Sequence, residues 1–128
     1  MSQNLQYSAG FQNRETQYHV NVNIVQFQDS GSYVLFAPAL EVYGYGKTVK
    51  EAKESFNLCV VEFFRHTEDK NTLIKELTRL GWKILGSKNK RTYQTPEFSE
   101  LLSSNKDLTS IINTKSIRTY KTEVAIPA

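Results

Sequence analysis

Cysteine is nearly absent: Cys59 is the only one in 128 residues. A single thiol builds no disulfide framework and no metal site of cysteine alone, which points to a reducing, cytoplasmic setting. Long apolar runs are missing too. No stretch approaches the roughly 18 to 20 residues that span a bilayer, so no membrane partner is expected. The opening stretch MSQNLQYSAGFQNRETQ is polar and holds no apolar signal core, and residues 1–16 are expected to be flexible. Histidine is scarce, with His19 and His66 alone. Neither has an activating partner at a readable spacing, and no cluster of His, Cys or carboxylates suggests a metal ligand set. No repeat or low-complexity tract is visible.

What is present fits a single folded domain spanning 1–128. Aromatic residues make up 12% of the chain, which argues against disorder. The net charge of +3 is uneven. Met1 to Trp82 holds 8 basic and 9 acidic residues, whereas Lys83 to Ala128 holds 8 basic and 4 acidic. A basic final third can attract nucleic acid, although a solvated surface has the same composition.

The residue pattern predicts an α+β fold. Tyr18, Val20, Val22 and Ile24 alternate with His19, Asn21 and Asn23, as in a strand with one dry face. The phase shifts at Val25 and Phe27, which suggests a bulge. Asp29-Ser30-Gly31-Ser32 reads as a hairpin turn, followed by a strand from Tyr33 to Ala37 that Pro38 ends. A short third strand is expected at Leu40 to Tyr43, with Gly44 and Gly46 turning the chain. Thr48-Val-Lys-Glu51 is a capping box opening a helix to about Thr67. Its apolar stripe is Val49, Ala52, Phe56, Cys59, Val60 and Phe63, with Cys59 a buried small hydrophobe. A second helix from Asn71 or Thr72 turns Leu73, Ile74, Leu77 and Leu80 inward. Gly81 should cap it in the left-handed region, with Trp82 packed back. Trp82 to Leu85 reads as a strand and Ser87 to Thr95 as a basic loop. Thr95-Pro96 reads as the start of a brief helix to Leu102 or Ser103. In Lys115 to Pro127, Arg118, Tyr120, Thr122, Val124 and Ile126 share one face of a strand; Ile117, Thr119, Lys121 and Glu123 share the other. The expected order is antiparallel β-β-β-α-(α)-β with one main helix on a sheet face, then an extension ending in a strand.

Two constellations bear on chemistry. Gly44-Tyr45-Gly46-Lys47-Thr48 has the ending of a phosphate-binding loop but lacks its first glycine, since position 41 is Glu, and a dinucleotide fingerprint would need glycine where Val49 stands. A structural role for both glycines is therefore preferred, and no cofactor is called for. The second constellation is basic and aromatic. Lys83, Lys88, Lys90, Arg91, Arg118 and Lys121 are the candidate nucleic-acid contacts, with Tyr33, Phe36, Tyr43, Tyr45 and Tyr93 as candidate stacking platforms.

Tyr33, Pro38, Gly46, Thr48, Glu51 and Ala52 also carry a resemblance. A tyrosine, a proline five residues on, a turn, a glycine, and a helix opening Thr-x-x-Glu-Ala resemble the N-terminal domain of the HicB antitoxin family. The likeness runs from about Val20 to Leu85, within a core of 17–86, leaving 87–128 as a basic extension with a terminal strand. Ala39-Leu40-Glu41-Val42 and Gly46-Lys47-Thr48 depart from the family's Asp-Leu-Pro-Gly and Gly-Asp-Thr. No DNA-binding helix-turn-helix or ribbon-helix-helix tail is recognisable. The resemblance implies a partial ribonuclease-H-like sheet and no catalysis, because the family's role is to mask a small toxin ribonuclease. The leading expectation is a non-enzymatic domain acting by protein association, with a toxin-like protein as partner. The alternatives are a small RNA- or DNA-binding module using the basic final third and, more weakly, an enzyme. A homo-oligomer, a dimer joined through strands, is expected because the long final strand needs a sheet to pair with.

Overall fold

Ser30 and Gly31 both take positive φ, 54° and 82°. That pair of left-handed residues matches the twist of two antiparallel strands and makes the tight hairpin expected of this tetrapeptide. The computed structural model describes residues 17–67, 70–86 and 90–127. Their order is β1 (Gln17–Asp29), β2 (Ser32–Ala37), β3 (Val42–Gly46), α1 (Val49–His66), α2 (Lys70–Arg79), β4 (Lys83–Leu85), β5 (Thr92–Gln94), α3 (Phe98–Ser104), α4 (Lys106–Thr114) and β6 (Arg118–Pro127). The class is α+β, with an antiparallel four-stranded sheet in the order β3-β2-β1-β6. The flexibility expected of residues 1–16 lies outside the described residues.

β1 has no bulge. Its pairing runs unbroken from Val25 opposite Phe36 to Asp29 opposite Ser32, and from Gln17 opposite Pro127 to Gln26 opposite Arg118. The phase shift in its sequence has another cause. Val22 and Ile24 are buried on one face, Val25 and Phe27 on the other. β1 is an inner strand whose middle, from Val22 to Phe27, carries buried apolar residues on both faces.

α1 covers the first face. Its buried residues, Ala52, Phe56, Val60 and Phe64, are four apart. Such a row is inclined to the helix axis, so the sheet-facing surface passes to Phe64 and leaves Phe63 half-buried, edge-on to Phe64 at 5.1 Å. Cys59 falls off that row and is exposed, contrary to the buried position its spacing suggested. The N-cap forms as expected: the Glu51 amide donates to Thr48 Oγ1 at 3.1 Å. The Glu51 carboxylate reaches one residue further back than a capping box requires, accepting from the Lys47 amide at 2.8 Å.

Gly44 and Gly46 are not corners. Both lie within β3, opposite Leu35 and Tyr33. The turn is earlier, where the Leu40 amide donates to Ala37 O at 3.1 Å and Glu41 takes φ of 55°. Pro38 does end β2. The glycines serve contact between backbones: a Cβ at Gly44 would sit 2.5 Å from the Ala52 carbonyl oxygen, and one at Gly46 2.5 Å from the Ala52 nitrogen.

α2 ends as the sequence implied. Gly81 has φ of 102°, its amide donates to Thr78 O, and the Trp82 amide donates to Leu77 O, each at 3.0 Å. These two bonds form a Schellman cap. Trp82 folds back, buried, and its Nε1 donates to Ala39 O at 2.8 Å. The next strand departs from expectation. β4 does not enter the main sheet; it pairs with β5, which lies inside the stretch read as a basic loop. Lys83 and Leu85 are exposed and Ile84 is half-buried, so three residues offer little apolar surface to a sheet. The fourth place goes to β6, which is ten residues long with an apolar face. α3 begins at Phe98, capped by Glu97 with Glu100, rather than at Thr95-Pro96. Asn105 both ends α3 and caps α4, accepting from the Leu108 amide at 2.9 Å.

Candidate interaction surface

A sheet has two edges, and this one treats them differently. β3 is short and lies under α1. The Tyr45 amide, which has no strand to bond on that side among the described residues, donates to Ser55 Oγ of α1 at 3.1 Å. At the other edge, β6 pairs with β1 over its whole length, and no strand among the described residues pairs with its outer side. One row of backbone amides and carbonyls along such a strand points away from the sheet; here it is open only from Arg118 to Glu123, because Val124, Ala125 and Ile126 are fully covered.

β6 is held firmly from within. Tyr120, Val124 and Ile126 stand opposite Ile24, Val20 and Tyr18 on the face that α1 covers. The Tyr120 hydroxyl donates to Gln26 Oε1 at 2.9 Å, and burial pushes this phenol's pKa up, against an opposing pull from Arg118. On the other face Lys121 and Glu123 are exposed, two residues apart, with Glu123 Oε1 3.8 Å from His19 Nδ1. The chain enters β6 past Lys115, whose Nζ is 3.2 Å from Asp29 Oδ1.

Beside this entry is a cleft of about 270 Å³ between the second sheet face and α4, lined by Phe27, Val34, Tyr43, Tyr45, Asp107 and Ile111 among others. The Tyr43 hydroxyl donates to Asp107 Oδ2 at 3.3 Å and ties β3 to α4. Burial first, and the Asp107 charge second, push the Tyr43 pKa up to about 12. This contact was not foreseen, and the sequence held no signal for it beyond a tyrosine and an aspartate 64 residues apart.

The basic candidates do not gather into one patch. Lys83 and Lys90 are exposed and Arg91 half-buried in the β4–β5 segment. That segment meets the Tyr18 end of β1, where the Tyr18 and Tyr93 rings are 4.9 Å apart. Arg118 stands opposite Gln26. Eight residues of extended chain separate Tyr18 from Gln26, roughly 26 Å. Arg118 and Lys121 point to opposite faces of β6. Lys88 lies outside the described residues. Of the candidate platforms, Phe36 and Tyr93 are buried, Tyr33 and Tyr43 half-buried, and Tyr45 is 58% exposed. Phe36, Tyr43 and Tyr45 instead stack on one another, with centroids 4.2 and 6.1 Å apart.

The remaining candidates are structural in placement. Tyr33 pairs with Gly46, Pro38 is buried in the turn, and Ala52 is fully buried against β3. His66 Nε2 is 3.3 Å from Glu62, one turn back on the exposed side of α1. Among the described residues, no group of three or more His, Cys, Asp or Glu is gathered as a metal site requires, and no helix is long and apolar enough to cross a membrane. No protein-family model matches the chain, and no curated protein or solved structure matches it.

Proposed function

We propose that this chain is a non-catalytic cytoplasmic domain that acts by protein association, in an antitoxin-like or regulatory role, as its resemblance to the HicB antitoxin family implies. The Arg118 to Glu123 stretch of the β6 edge is the surface through which it associates, since Val124, Ala125 and Ile126 are fully covered. The observation that carries this reading is the contrast between the edges: α1 caps the β3 side through Ser55, while the outer side of β6 has no strand beside it among the described residues. A strand laid along β6 would satisfy its outward amides and carbonyls, and neighbouring side chains would set selectivity. The separation of Lys83, Lys90 and Arg91 from Arg118 along β1 weighs against the nucleic-acid alternative, which needs a continuous track of charge.

The test is capture on the immobilised full chain from host lysate, with and without nuclease, followed by hydrogen–deuterium exchange on the complex. A protein that stays bound after nuclease and slows exchange in Arg118 to Glu123 supports the reading. Material lost on nuclease treatment selects the nucleic-acid alternative. A retained protein that leaves exchange in β6 unchanged removes the edge as the surface.

A further inference from the structure

We infer that the cleft between the second sheet face and α4 binds a guanidinium group, the head of an arginine side chain. The site stands apart from the Arg118 to Glu123 edge and does not depend on it.

What the cleft offers a ligand follows from how its polar groups are already engaged. Its donors are turned inward. The Tyr43 hydroxyl donates to Asp107 Oδ2 at 3.3 Å. The Lys115 ammonium lies 3.2 Å from Asp29 Oδ1. The Thr114 hydroxyl donates to the Ser110 carbonyl at 2.7 Å. The acceptors remain open. Among the described residues no donor reaches Asp107 Oδ1 or Ser110 Oγ, and the Thr114 hydroxyl oxygen keeps its lone pairs. Charge points the same way. Two carboxylates, Asp29 and Asp107, line the cleft with one ammonium, Lys115, so it is one unit negative in a chain of net charge +3. An aspartate in the first turn of α4 suits the helix dipole by itself, but that role calls for no tyrosine beside it.

Shape narrows the choice of cation. Phe36, Tyr43 and Tyr45 form a stack whose last ring, Tyr45, is 58% exposed. The Tyr43 and Tyr45 rings are 13° from parallel, and the Tyr43 hydroxyl is tied to the carboxylate. A flat aromatic surface and an anion are thereby held side by side. A guanidinium is planar, stacks on aromatic rings and donates to a carboxylate through a fork, whereas an ammonium is a compact, strongly hydrated point charge. The cleft, at about 270 Å³, is smaller than the roughly 300 to 1,000 Å³ of sites for drug-sized ligands. It suits one side-chain head. Seated there, a guanidinium covers Tyr45 and donates to Asp107 Oδ1 and Ser110 Oγ, while its methylene stem lies against Ile111.

A heteronuclear NMR titration of the full chain with N-acetylarginine methylamide at low salt tests this. Saturable shifts are expected at Tyr45, Asp107, Ser110 and Thr114. N-acetyllysine methylamide, equal in charge but without the plane and the fork, should bind about tenfold more weakly. Tyr45→Ala and Asp107→Asn should each weaken binding by about tenfold. Tyr45→Phe, which keeps the ring, should bind as the unaltered chain does. Tyr45 and Asp107 are both exposed, and each variant's spectrum reports its fold. If Asp107→Asn fails to fold, the two Tyr45 variants decide. Agmatine separates the sources of the group. Affinity equal to that of the capped arginine supports a site open to free guanidines, and weaker affinity supports an arginine carried by a protein. Absence of a saturable shift, shifts centred away from the cleft, equal affinity for the lysine and arginine compounds, or full binding by Tyr45→Ala would each overturn the assignment. A chain that captures no host protein yet binds the capped arginine loses the association reading and keeps this site.

Discussion

A methyl group at Gly44 would lie 2.5 Å from the Ala52 carbonyl oxygen and from the Phe56 nitrogen, both main-chain atoms of α1 that cannot swing aside as a side chain would. α1 would have to lift off β3. Gly44→Ala is expected to cost about 1 to 3 kcal/mol, as overpacking does, with a matching fall in the denaturation midpoint. An unchanged midpoint would show that the helix and strand do not approach as closely as described. Tyr43 makes a prediction in pH. Its phenol titrates at about 12 in the folded chain against 10.0 when unfolded. The folded state therefore holds the proton more tightly. The stability this gives is fully present below pH 10 and is lost as pH rises towards 12. Tyr43→Phe should flatten stability across that window, read as the change in midpoint between the two variants at each pH. A fall as steep in Tyr43→Phe as in the unaltered chain would assign the effect to other groups.

α1 and α2 were legible because their signals are local. Thr48 with Glu51 marks one start, Gly81 with Trp82 marks one end, and apolar spacing gives the inward side to within a residue. β3 was misplaced because glycine has two uses. At Gly44 and Gly46 the sequence suggests freedom of φ, whereas the structure uses the missing side chain. β5 was missed because Thr92–Gln94 is too short for a pattern to show and lies beside Lys90 and Arg91. The alternation of β6 was plain, but its neighbour was not, since pairing Arg118 with Gln26 closes 92 residues of chain. That pairing makes β6 part of the fold. A chain ending at Ser116 would leave Tyr18, Val20 and Ile24 without the side chains opposite them. It is expected to lose its cooperative thermal transition, where removal of a mere extension would leave it in place. A cooperative melt in the shortened chain would mean that β1 to α4 fold without β6.

At the scale of the molecule, the candidate surface was half legible. Lys121 and Glu123 could be assigned to one face from the sequence, but which side of β6 lies open depends on the strand order, and no local pattern states that. The basic final third was easy to see and its dispersal was not, because the distance between Arg91 and Arg118 is set by the sheet. One residue also gives the molecule an internal lamp. Trp82 is the sole tryptophan, buried at the seam where the end of α2 meets the turn between β2 and β3, with its indole N–H on Ala39 O. Its emission is expected at the blue end of the tryptophan range and should report that seam alone, while far-ultraviolet circular dichroism reports helices and sheet throughout. Coincident denaturation curves from the two signals would mean that the seam lets go with the whole fold. An emission shift at lower denaturant would reveal α2 leaving the sheet first, a native-like species with a dim, red-shifted Trp82 and most of its backbone structure intact.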